Sequence, residues 1–179
     1  MHKNKKVEPA PIFKNKRALA CSSDERRQTM TDQTDFPDYD DSNIFARILR
    51  GEIPSHKVFE DDDVIAFMDV MPQAPGHTLV VPKAPSRNLL DADPAVLAKL
   101  MPFTQRIARA VKKAFEADGI TIMQFNEPAG GQTVFHLHVH VIPRHDGVGL
   151  KRHEGGMEKP DVLVANANKI RQALKEEDA

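Results

Sequence analysis

Between Asp93 and Phe115 the apolar residues Leu97, Leu100, Ile107, Val111 and Phe115, with Thr104 among them, return to one side of a helix every three or four positions. Asp93 can cap this segment, and Pro94 fits its first turn, where a missing N–H has no helical partner. Pro102 removes a donor in mid-segment, so the pattern predicts a kink or two abutting helices. A weaker helical pattern, Leu163, Ala167, Ile170 and Leu174, runs from Pro160 to Leu174. A short third one is capped by Asp41 or Ser42, groups Ile44, Ile48 and Leu49 on one face, and ends at Gly51.

Elsewhere the period shortens to that of strands. "HKVFE" and "VIAFMDV" flank the acidic turn Asp61–Asp63 and predict a β-hairpin. "HTLVVP" (His77–Pro82) follows the turn-rich "MPQAPG", and "ITIMQF" and "TVFHLHVHVI" supply a fourth and a fifth strand. Five strands with one long helix between the third and fourth predict an α+β fold around a five-stranded, mainly antiparallel sheet. Residues 1–28 are basic and polar, and Thr31–Asp41 is acidic and turn-rich. Neither stretch can bury enough apolar surface to offset ordering. The expected plan is a weakly ordered extension over 1–40, one domain over 41–148, and a loop and helix over 149–179. Met30 reads as an alternative start site.

Composition narrows the function classes. The 179 residues carry a formal net charge of −1, which argues against a bulk nucleic-acid binder. A single cysteine, Cys21, excludes an internal disulfide and a cysteine-rich zinc knuckle. No apolar run is long enough to cross a bilayer, and the N-terminus lacks the apolar core of a secretory signal. The expected location is the cytoplasm, with no membrane partner.

Candidate chemistry gathers in "GGQTVFHLHVHVIPRH" (Gly130–His145). Alternation along a strand puts His136, His138 and His140 on one face, and Phe135, Leu137, Val139 and Val141 on the other. Packing accounts for the apolar face alone. Histidines two apart on a strand can hold a metal, and His77 offers a further ligand, although no acidic residue or cysteine adjoins the motif. Equally, a neutral imidazole attacks phosphorus well, and adjacent carboxylates would repel a phosphate. Gly130 and Gly131 let backbone N–H groups approach an anion, and Gln132 and Thr133 add neutral donors. On these residues alone, metal site and nucleophile both stand.

His136-Leu-His138-Val-His140-Val-Ile142 matches the His-φ-His-φ-His-φ-φ motif, with φ apolar, and the chain resembles the histidine triad (HIT) family over residues 42–145. The resemblance implies the α+β fold above, a homodimer joined edge to edge, and hydrolysis or transfer of nucleoside monophosphates from purine nucleotides. It makes His138 the nucleophile, with His136 and His140 orienting it and contacting phosphate or leaving group, and His77 the fourth histidine. Asp69 would hold the ribose. Asn126, Gly131, Gln132 and Thr133 would hold the phosphate, and Ile44, Phe45, Ile48 and Phe67 would line the base cleft. Some members carry zinc on a Cys-x-x-Cys near the first helix. Here Asn43-Ile44-Phe45-Ala46 stands in its place, and Pro85 stands for a histidine, so no metal and no required cofactor are expected. A polyphosphate substrate would bring Mg²⁺ with it. "VIPR" resembles the dinucleoside polyphosphate branch, whereas "RGEIPSHKVFEDDDVIAFMD" resembles the phosphoramidase branch. The rival reading is a nucleotide-binding regulatory or scaffold protein with little catalysis.

Overall fold

The computed structural model describes residues 37–152 and 156–177. The expectations for residues 1–36, Met30 among them, lie outside the described residues. The elements run α1 (Ile44–Leu49), β1 (Lys57–Glu60), β2 (Val64–Met68), β3 (Thr78–Pro82), α2 (Pro94–Ala114), β4 (Gly119–Met123), β5 (Val139–Arg144) and α3 (Pro160–Glu177). The strands form one sheet in the order β1-β2-β3-β5-β4, and every pairing is antiparallel. The long helix does lie between the third and fourth strands.

Helices α2 and α3 cover one face of the sheet. Leu100, Ile107, Ala110 and Val111 of α2, and Leu163, Ala167, Ile170 and Leu174 of α3, pack with Val64, Ala66, Met68, Val80, Leu137, Val139 and Val141. The opposite face carries a smaller apolar cluster, in which Phe45 and Ile48 of α1 meet Ile65, Phe67, Leu79 and Val81. Strands β2 and β3 are therefore buried on both faces.

Three local expectations change. Helix α2 runs unbroken through Pro102, which lies on the exposed side, where water can take the carbonyl it leaves without a donor. The burial of Leu100, Thr104 and Ile107 on the inner side holds the helix together across it. In α1 the cap is Asn43, whose side-chain oxygen accepts from the N–H groups of Phe45 and Ala46. The inward face is consequently Phe45, Ala46 and Ile48, leaving Ile44 47% exposed. Gly51, at φ +75°, closes this helix in a Schellman arrangement: its N–H reaches the Ile48 carbonyl, and that of Glu52 reaches Arg47.

The fifth strand also begins later than its alternation suggests. Val139 is its first residue, so His136 and His138 lie in an irregular lead-in. Two hydrogen bonds hold this lead-in: Leu137 N–H donates to the Ser86 carbonyl at 2.8 Å, and the His138 ring donates to the His136 carbonyl. Alternation of burial survives without the ladder, since Leu137 still enters the helix-side core.

Candidate active site

Strand β5 places His140 across from Leu79 on one neighbour and Met123 on the other, on the face opposite α2 and α3. His77 immediately precedes β3. The preceding Gly76 has φ +92°, and a Cβ there would sit 2.4 Å from the Phe115 ring, so only glycine allows this approach. The two imidazoles then meet, with His77 Nε2 2.9 Å from His140 Nδ1. Gln73 N–H donates to His77 Nδ1 at 3.2 Å, which puts the proton of a neutral His77 on Nε2. That proton goes to His140 Nδ1, and His140 carries its own on Nε2.

The Asp69 carboxylate lies 3.4 Å from His77 Nδ1 and accepts from Met71 N–H at 2.8 Å. Asp69, His77 and His140 are all buried, and each offers one ligand atom within 4.8 Å of the others. The fold thus brings Asp69 to two histidines already named as candidate ligands, a set compact enough for a metal ion. An ion bound through His77 Nε2 and His140 Nδ1 would displace the His77–His140 hydrogen bond. That hydrogen bond as it stands orients the His140 ring.

His138 is oriented by main chain. Its Nδ1 lies 2.7 Å from the His136 carbonyl, which can only accept, so the Nδ1 proton is fixed and the lone pair of the neutral ring falls on Nε2. Phe45 lies edge-on to this ring at 4.9 Å, and the His140 ring stands 5.0 Å away. His136 is wholly buried, with Nε2 2.8 Å from the Pro82 carbonyl and Nδ1 2.5 Å from the Tyr39 hydroxyl. Burial pushes its pKa down to about 4, against the Pro82 hydrogen bond, and the neighbouring His138 lowers it further. Its ring therefore faces the Tyr39 hydroxyl and Pro82, and its link to His138 is through its carbonyl oxygen.

The loop before the triad is held by a buried network. Glu127 adopts φ 61° and ψ 161°, a region that costs a non-glycine residue about 1–3 kcal/mol. Its carboxylate accepts from Arg87 at 3.1 and 3.3 Å and from Asn88 at 2.8 Å. Its N–H donates to the Gln132 side chain at 2.9 Å. Gln132 was expected to donate to phosphate. Its amide nitrogen instead donates to the Arg87 and Val134 carbonyls, and its oxygen accepts from Asn88 and Glu127, so this side chain holds the loop's shape. Asn126 accepts from Leu89 N–H at 3.0 Å and donates to Gln124 at 2.8 Å.

An open cavity of about 410 Å³ lies against His138 and His140. Met71, Gln73, Met123 and Phe125 wall it, and Gly131, Gln132, Thr133, His138 and His140 complete its lining. Phe45, Ile48 and Phe67 pack instead in the smaller core, and Ile44 points outward. Sequence reasoning missed Met71, Gln73, Met123 and Phe125 as walls, and Tyr39, Asn88 and Glu127 as supports. The strand pattern could have placed Met123 beside His140; Tyr39 sits in an acidic, turn-rich stretch and carries no local signal.

The sequence profile of the HIT domain matches residues 50–147. A Hit-like protein involved in cell-cycle regulation from Bartonella henselae, solved with an unknown ligand, is 60% identical, with a TM-score of 0.72 over 76% of this chain and 99% of its own. A zinc-bound histidine triad family protein from Mycobacterium smegmatis is 36% identical, with a TM-score of 0.69 over 76% of this chain and 96% of its own. An adenylylsulfatase of Arabidopsis thaliana is 34% identical over 65% of this chain and 62% of its own length. A profile match over more than half of the chain, joined to that 60% identity, means that the chain belongs to the HIT family.

Proposed function

We propose that this protein is a hydrolase that takes a nucleoside monophosphate from a purine nucleotide onto His138 and then passes it to water. The observation that carries the reading is the 2.7 Å contact between His138 Nδ1 and the His136 carbonyl, which leaves Nε2 as the nucleophilic atom beside the cavity. In the first step His138 Nε2 bonds to the α-phosphorus as the bond to the leaving group breaks. The proton on His140 Nε2 passes to the departing atom, and the His77 Nε2–H bond to His140 Nδ1 steadies the ring that gives it. Thr133, in the cavity lining, supplies its hydroxyl to the charge on the phosphate oxygens. Water then attacks phosphorus and gives its proton to His140 Nε2, the P–N bond breaks, and His138 and His140 are both restored.

The walls Met71, Met123 and Phe125 supply apolar surface for a base, and Asp69 is the ribose acceptor that the resemblance implies. The Arabidopsis relative's name is in keeping with chemistry at a nucleotide's phosphorus. The proposal includes a homodimer through β4, an edge strand on which Ile122 is 42% exposed, and a cytoplasmic location. Among the described residues no helix is long and apolar enough to cross a membrane.

The deciding assay gives the protein an adenosine phosphoramidate and diadenosine polyphosphates in parallel. The expected result is turnover of at least one, with an adenylyl group on His138 by mass spectrometry. Phosphoramidate turnover should be unchanged by chelators, since no step needs a metal. Loss of activity on chelation, restored by zinc, would make Asp69, His77 and His140 a metal site instead. Tight nucleotide binding without turnover or adduct would favour the scaffold reading.

A further inference from the structure

The hydrogen bonds leading to His136 have one possible direction. Asn43 Oδ1 accepts from the N–H groups of Phe45 and Ala46, both at 3.0 Å, so the orientation of its amide is fixed by the α1 cap. The Asn43 Nδ2 group then donates to the Tyr39 oxygen at 3.0 Å and to the Asp40 carbonyl. Pro82 offers only a carbonyl, so the His136 proton is on Nε2 and Nδ1 is left as an acceptor. The Tyr39 O–H donates to that Nδ1.

Each link has a physical reason to hold. Burial raises the Tyr39 phenol above its ordinary value, so it stays a donor across the working pH range. His136 is entirely buried, and an acceptor left there without a donor would carry a desolvation cost. The two rings also pack edge to face, with centroids 5.6 Å apart. The His136 carbonyl, in turn, is the group that fixes the His138 tautomer.

We infer that Tyr39 is a positioning residue: its hydroxyl carries the polarity of the α1 cap into the triad, donates to the buried Nδ1 of His136, and, with Pro82 on Nε2, holds the ring and the carbonyl that orients His138. Its effect on turnover rests on the nucleotidyl-transfer reading above; its effect on His136 does not. The residue lies just before α1, in a stretch whose sequence pattern gave no reason to expect a role in the site.

The test uses the full chain labelled with ¹⁵N-histidine. In the wild type, His136 should resonate as the Nε2–H tautomer; a protonated Nδ1 there would overturn the inference without any variant. Tyr39→Phe keeps the ring and removes only the hydroxyl. It should leave the proton on Nε2 but move the His136 Nδ1 resonance to that of a ring nitrogen without a donor, and lower kcat about ten-fold, as expected for a small misplacement of the nucleophile, with KM little changed. Asn43→Asp keeps a good helix cap but accepts the phenolic proton, reversing the chain, and should produce the same two effects. Unchanged His136 Nδ1 resonances in both variants would overturn the inference, as would loss of the Nδ1 hydrogen bond with unaltered kcat. If the wild type turns over no nucleotide while Tyr39→Phe still moves the Nδ1 resonance, the transfer reading fails and the hydrogen bond from Tyr39 to His136 stands.

Discussion

On the helix side of the sheet, Val64, Ala66, Met68, Val80, Val139 and Val141 meet α2 and α3 in an apolar core. One residue along the same strands, the other side holds His140 beside Leu79, with His138 against Phe45 and His77 behind. Period-two alternation lets one strand serve both purposes. The two sides obey different rules. The apolar core is held by area and close packing, which tolerate some rearrangement. The histidine side is buried too, so every ring nitrogen described above has a defined donor or acceptor role, and the roles propagate from one residue to the next. A change on the first side should cost stability, and one on the second should cost chemistry.

The sharpest break of that contrast is His138→Asn. It should lower kcat by about 10⁴-fold or more while the melting temperature stays near the wild-type value, because the nucleophile is lost and no core is opened. Turnover and thermal denaturation measured on one preparation would check it; residual activity within ten-fold of wild type would remove His138 from its role. Ile107→Ala probes the opposite side. Ile107 is wholly buried between α2 and the sheet, and its truncation should cost about 2–5 kcal/mol in urea unfolding while turnover per folded molecule is kept.

The smallest effect links the two sides through pH. The His136 pKa falls from 6.5 to about 4 on folding, chiefly through burial, so between those values the unfolded chain binds a proton that the folded one refuses. Stability contributed by neutral His136 is therefore full above pH 6.5 and is lost as pH falls toward 4, by an amount on the order of 3 kcal/mol. Denaturant melts at several pH values should show this loss in the wild type, and a shallower slope in His136→Asn. Equal slopes in the two proteins would mean that another group governs the acid limb.

Much of the fold was legible along the chain because periodicity and local stop signals set it. The Asp93–Pro94 start of α2, the hairpin around Asp61–Asp63, and the inward side of α3 all follow from residues within a few positions of one another. So does the grouping of His136, His138 and His140, whose spacing, with the resemblance, pointed to the family. The rest needed contacts between residues far apart in sequence. Local pattern allowed Pro102 to break α2, but the packing of Leu100, Thr104 and Ile107 kept it whole. A phosphate loop reading gave Gln132 to the substrate, whereas Arg87 and Asn88, more than forty residues away, and the nearby Glu127 claim its side chain. Tyr39 stands 97 positions from His136, and no local rule links a phenol in an acidic turn to a buried imidazole. Local sequence determined which residues could do chemistry, since side-chain type and period are local properties. Only the tertiary structure decided their tautomers and partners, because a buried hydrogen bond depends on which groups the fold brings within 3 Å.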